Sequence, residues 1–259
     1  RYYTLRAKCL ISCNRFLGSI TKYQKSFYLT HGTAIKSIHS YYTMPQAVDY
    51  LLVASEGTKS MMAYELMVDI DKVVATGFPR NDVFSDPPRD IHPLFEGDYD
   101  KIIVWYPTFR QHKNGKKTAC SKALPVLNDA QQAIELNRIA EEKKVLIVIK
   151  PHFAQDISCI TKFNLKNIKF IDDSFFTDNK ISSYEFIGNC DAMITDYSSV
   201  YFDYLLCNKP IALIWEDIEQ YKQDPGFSID MEYYGKAAEK IYNIEDFKKQ
   251  MGGLAGSLD

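Results

Sequence analysis

No acidic residue precedes Asp49, whereas Arg1, Arg6, Lys8, Arg15, Lys22, Lys25 and Lys36 all do. The net charge of the whole chain is only −2, so the imbalance belongs to one end and not to the protein at large. It falls short of the overall basic balance of nucleic-acid binders, and no nucleic-acid partner is expected. No apolar run approaches the roughly 20 residues of a membrane-spanning helix. No secretory signal pattern opens the chain. The six cysteines (Cys9, Cys13, Cys120, Cys159, Cys190 and Cys207) are scattered and include no CxxC pair. That excludes a zinc or disulfide framework and predicts a reducing, cytoplasmic location. GxGxxG and GxxxxGK[ST] are missing too, which argues against a dinucleotide dehydrogenase and a P-loop nucleotidase.

The 259 residues can bury a substantial core, in one large domain or two smaller ones. Hydrophobic residues make up 46% and charged residues 25%, as in ordinary soluble domains. The 18 Tyr and 15 Phe suit a protein that handles sugars or lipids, and suit a tyrosine-rich core equally. The chain opens on Arg1 and closes on GGLAGSLD, so a fragment of a longer protein is expected. LRAKCLISCNRFLGSI, residues 5–20, mixes cations with apolar residues. It reads either as a patch for an anionic membrane surface or as a solvated helix face.

Short apolar runs recur, each followed by a polar turn. Strands are predicted at 27–30, 50–54, 73–76, 101–106, 145–150, 168–171, 192–195 and 210–215. A helix is predicted over 124–143, from Val126, Ala130, Ala133, Ile134 and Ile139. Fully apolar strands such as VLIVI belong to a parallel sheet buried on both faces, and strand–helix alternation predicts an α/β architecture. Residues 78–100 hold four prolines and interrupt the rhythm. The expected division is an N-terminal domain over 1–85, a linker over 86–100 and a C-terminal domain over 101–259, both domains Rossmann-like.

Doubly wound folds bind ligands at the C-terminal ends of their strands. Four polar clusters fall there: LTHGT (29–33), WYPTFR (105–110), VIKPH (148–152) and TDYSS (195–199). If a helix starts near Ser198, its free N–H groups and the hydroxyls of Ser198 and Ser199 suit a phosphate. Asp203 lies one turn further and can accept from a ligand hydroxyl. The plainer alternative is that Asp196 or Ser198 caps the helix, worth about 1 kcal/mol. His31, followed by Gly32, suits proton abstraction from an alcohol. Lys150, His152 and the forked donors of Arg110 suit a pyrophosphate. His39, His92 and His112 carry no such setting, and DID (69–71) reads as surface, so no metal site is expected.

In this order the clusters resemble the CDP-glycerol glycerophosphotransferase family of teichoic acid and capsule synthesis. The pieces that match are HGTAIK (31–36), TGFPRND (76–82), WYPTFR (105–110), KPH (150–152) and TDYSSVYFDYLLCNKPI (195–211), with PGF (225–227) weaker. The chain departs from the family pattern at Thr30, Ala34, Ser37, Gln111 and Phe153. The resemblance implies a GT-B-type fold of two Rossmann-like domains, the N-terminal one incomplete here, and peripheral placement on the inner face of the bacterial membrane. It implies His31 as base, His152 at the pyrophosphate, and Ser198, Ser199 and Asp203 at the donor's phosphate and glycerol end. Gly32, Thr33, Arg80, Thr108, Arg110, Lys150 and Asp196 complete the implied substrate-binding set. CDP-glycerol is the implied donor, with no cofactor, and a polyol-phosphate or glycan hydroxyl the acceptor. Two alternatives stay open: a GT-B glycosyltransferase using a nucleotide sugar, and a non-catalytic polymer- or membrane-binding module. Glycerol against ribitol, polymerisation against single addition, and oligomeric state also stay open.

Overall fold

The computed structural model describes residues 2–39, 41–108, 124–127, 129–152 and 155–256. They form two compact units, one of Arg1–Asp82 with Glu219–Tyr234, the other of Val83–Ile218 with Gly235–Asp259.

In the first unit a parallel sheet runs in the order β1 (Cys9–Ser12), β2 (Lys25–Tyr28), β3 (Tyr50–Val53), β4 (Val73–Ala75). Its strands alternate between buried and exposed positions. The core beneath gathers Tyr28, Leu51, Val53, Met62, Leu66 and Val73. The strand β1 is absent from the sequence expectation. Cys9–Ser12 pairs in register with Lys25–Tyr28, inside the stretch read as a helix face or surface patch. The reason is its edge position: Leu10 is buried while Ile11 is 63% exposed, so cations and apolar residues interleave along it. The strand β2 ends earlier than expected, at Tyr28, because Thr30 turns into the left-handed region at φ 59°.

Asp49 pins this unit together. It accepts from the Ser26 amide at 2.8 Å and the Ser19 hydroxyl, and faces Lys25 at 3.8 Å. Burial pulls its pKa up, but the bonds from Ser19 and Ser26 and the charge of Lys25 prevail and hold it below the ordinary 3.8. Its stabilisation is therefore complete above that value and is lost as pH falls through the lower, folded one. Urea midpoints taken from pH 5 down to pH 2 should fall less steeply in Asp49→Asn than in the parent. Parallel acid limbs would remove this account of Asp49.

The second unit is built on six parallel strands: β5 (Lys101–Tyr106), β6 (Val145–Ile149), β7 (Ile168–Phe170), β8 (Ala192–Thr195), β9 (Ile211–Ile214) and β10 (Glu239–Ile241). Their spatial order is β10-β9-β8-β5-β6-β7, the doubly wound dinucleotide-fold order, with its switch point between β5 and β8. The chain winds outward from β5 through β6 to β7, then resumes on the other side at β8. Every residue of β6, β8 and β9 is buried, as central strands covered on both faces require. One face holds Ile103, Trp105, Ile147, Ile149, Ile194, Ile214 and Phe247 in a single core.

Three findings differ from the sequence expectation. The helix predicted over 124–143 begins only at Ala130 and runs Ala130–Glu142, because Asp129 caps it by accepting from the Gln132 amide at 2.8 Å. Leu124 and Leu127 instead bridge across a turn in which Val126 has φ 58°. The buried helical face is Ala133, Leu136 and Ala140, while Ile134 is 38% exposed. Residues 86–100, expected as a linker, pack on the second unit. Arg89 bonds the carbonyls of Asn179 and Lys180 and the carboxylate of Glu185, and Phe95 stacks on Phe175. Finally, residues 219–234 return to the first unit, where Lys36 pairs with Phe227 and the Ser228 amide donates to the Ile35 carbonyl at 2.9 Å.

Candidate active site

At the switch point of the second unit, β5 and β8 run side by side to their tips, with Tyr106 opposite Thr195. The loops beyond them are tied by Asp196, which is wholly buried. Its carboxylate accepts from the Thr108 amide at 2.9 and 3.0 Å, from the Thr108 hydroxyl, and from the Tyr197 amide at 2.7 Å. Asp196 is thus a strut between two motif loops and does not cap the following helix. Ser198 does not cap it either. The helix Val200–Tyr204 has Ser199 at its N-cap position without a side-chain bond. Ser198 and Ser199 are both half-buried, and their hydroxyls have no hydrogen-bond partner among the described residues. The capping alternative therefore fails for both serines.

Asp203 is 2% exposed and accepts from the Tyr184 hydroxyl at 2.8 Å. Tyr184 sits on the helix Ser183–Asn189 and carried no signal in the sequence. At the tip of β6, the half-buried Lys150 forms an ion pair with the exposed Asp173 at 2.9 Å. Its amide extends the sheet by donating to the Trp105 carbonyl at 3.0 Å. His152, two residues on, is exposed. Arg110 lies outside the described residues, as does Gln111.

In the first unit, His31 follows β2 on a tight loop and is exposed. Gly32 has φ 142°, a conformation that favours glycine. Arg80, expected at the substrate, donates from Nη1 to the His31 carbonyl at 2.9 Å and lies over the Phe78 ring at 4.5 Å. It thus fixes the loop that carries the histidine. Thr33 is 2% exposed, and its hydroxyl has no partner among the described residues. The PGF segment packs on the continuation of this loop: the Ser37 amide donates to the Gly226 carbonyl at 3.1 Å. Lys36 lies over Tyr221, which stacks on Phe227. Glu65, also buried, holds Ile38 through its amide at 2.6 Å. Among the described residues, no group of three or more His, Cys, Asp or Glu side chains is placed to hold a metal ion.

Two all-parallel α/β units, the second in full dinucleotide-fold order with polar residues gathered at its strand tips, make this a protein of GT-B class. Residues 1–248 match the CDP-glycerol:poly(glycerophosphate) glycerophosphotransferase model, and the chain belongs to that family. It is 30% identical over 197 residues to a teichoic acid poly(ribitol-phosphate) polymerase of Bacillus spizizenii, covering 70% of this chain and 28% of that protein. It is 28% identical over 224 residues to a teichoic acid glycerol-phosphate transferase of Staphylococcus aureus, covering 81% and 53% respectively. The solved wall teichoic acid polymerase TagF shares its fold at a TM-score of 0.68 and 23% identity, over 96% of this chain and 64% of that one. The chain therefore spans only part of the length of the proteins it matches.

Proposed function

We propose that this chain transfers glycerol phosphate, or a related polyol phosphate, from a CDP-activated donor to a hydroxyl of a teichoic-acid-type acceptor, releasing CMP. The observation that carries this reading is the switch point of the second unit. There Asp196 locks two family motifs together while the Ser198 and Ser199 hydroxyls stay unengaged. A diphosphate supplies the acceptors they lack. The acceptor oxygen attacks the polyol-bearing phosphorus, the bond from that phosphorus to the bridging oxygen breaks, and CMP leaves with the bridging oxygen. His31 takes the proton of the attacking hydroxyl. Lys150, His152, Arg110 and the two serines hold the charge of the pyrophosphate, with no cofactor or metal ion in this scheme. Such chemistry rests on positioning and charge stabilisation more than on covalent help.

The test is product analysis with matched donors. Incubation with CDP-glycerol or CDP-ribitol should yield CMP, while UDP-sugars should yield neither UDP nor UMP. Release of UDP alone would favour a sugar transferase, and absence of binding to any donor would favour a non-catalytic module.

The cations ahead of Asp49 support a cytoplasmic placement against an anionic membrane face. Exposed Tyr3, Leu5, Leu17, Ile20 and Tyr23 stand among them. Each such cation near the surface contributes about 1 kcal/mol, or roughly fivefold in affinity. Replacing Arg6, Lys8, Arg15 and Lys22 by glutamine should therefore reduce co-sedimentation with phosphatidylglycerol vesicles by about two to three orders of magnitude. Equal binding by parent and variant would end the membrane reading. Substitution is the better tool than trimming, because residues 9–12 are a strand of the sheet.

A further inference from the structure

The hydroxyl of Tyr106 is buried and has no hydrogen-bond partner among the described residues. Buried phenols nearly always find one. The residue is not in the interior of the core: it is the last of β5, at the switch point, opposite Thr195. Alternation along β5 sends Trp105 into the core with Phe247 and Tyr106 to the opposite face. Tyr184, Cys190 and Asp173 lie around its hydroxyl, and burial, followed by these neighbours, pushes its pKa far up. The group therefore stays protonated at any working pH and has a proton to donate. Tyr184 in turn holds Asp203, and Asp173 holds Lys150.

This neighbourhood discriminates between ligands. One carboxylate, Asp173, acts on this uncharged donor, and a second, Asp203, is bonded to its neighbour Tyr184. A phosphate oxygen at this position would be repelled by Asp173, whose charge Lys150 already pairs. A ligand hydroxyl can accept from a phenol and donate to a carboxylate at once. Tyr106 as a whole is only half-buried although its oxygen is sealed. To meet a ligand the ring must turn its hydroxyl toward the strand tip.

We infer that Tyr106 is a specificity-determining residue that donates a hydrogen bond to a hydroxyl of the donor's polyol, beside Asp203. The inference rests on the proposed transferase reading and adds a residue and a chemical group to it. Tyr106→Phe keeps the ring and removes only the oxygen. A hydroxyl with no protein partner contributes nothing to the free fold, so the thermal midpoint should be unchanged or slightly raised. Calorimetry should show CDP-glycerol binding weakened by about 3- to 10-fold, the worth of one neutral hydrogen bond, with CMP affinity unchanged within twofold. Unchanged CDP-glycerol affinity overturns the inference. So does an equal loss for CMP, which would place the contact on the nucleotide, or a midpoint lowered by several degrees, which would show a structural partner. A parent protein that binds CMP but not CDP-glycerol would overturn the transferase reading itself, a failure visible before any variant is made.

Discussion

His31→Ala should lower the turnover of CMP release from CDP-glycerol by roughly 10²- to 10⁴-fold, the usual cost of losing a general base. The side chain is exposed, so its removal empties no core position. The loop beneath is held through backbone atoms, by Arg80 at the His31 carbonyl and by the conformation of Gly32. Alanine at 31 leaves both in place. The expected signature is a loss in kcat with donor affinity, read by calorimetry, kept within about twofold. Turnover within threefold of the parent would remove His31 from the chemistry. A parallel loss of donor affinity would make it a binding residue instead.

The largest structural effect is expected at Asp196. Replacing it by alanine leaves the Thr108 and Tyr197 amides and the Thr108 hydroxyl without their acceptor. Orphaned buried groups cost about 1–3 kcal/mol each, and water admitted to the gap recovers part, so a loss of about 3–5 kcal/mol follows. The measurement is clean, because both tryptophans of the chain, Trp105 and Trp215, are buried in the second unit. Their fluorescence therefore follows that unit alone through a urea titration. With a slope of about 3 kcal/mol per molar, the midpoint should fall by roughly 1–1.7 M. A midpoint within 0.3 M of the parent, at the precision of about a tenth of the total expected of such fits, would show that the strut is dispensable. Asp196→Asn should lie between the two, since one carboxylate oxygen becomes a donor facing N–H groups.

The sequence made the central strands legible because burial on both faces leaves them apolar, with Thr195 at the tip of β8 the one polar residue among β6, β8 and β9. VLIVI, AMIT and IALI have no alternative as solvated segments. The edges were harder. CLIS alternates and sits among cations, and EKI in β10 is short with two of its three residues charged, so neither stands out from its surroundings. The helix start was misplaced because Val126 fits a helical spacing while actually lying in a turn beyond the Asp129 cap. In the candidate site, the strand-tip motifs were legible as strings. Their partners were not, because Asp196 meets Thr108 across 88 residues, through the juxtaposition of β5 and β8. Tyr184 reaches Asp203 from a helix that looks ordinary in sequence. The role of Arg80 as an anchor of the His31 loop likewise depends on tertiary structure alone.

The return of residues 219–234 to the first unit means that the polypeptide passes between the two bodies three times, after Asp82, after Ile218 and after Tyr234. A protease nick at any one of these passages leaves the halves covalently joined through the other two. A gene truncated after codon 82 would encode a lobe lacking its closing segment. Exchanging lobes between relatives would therefore require two crossovers flanking that insert besides the one at the first boundary.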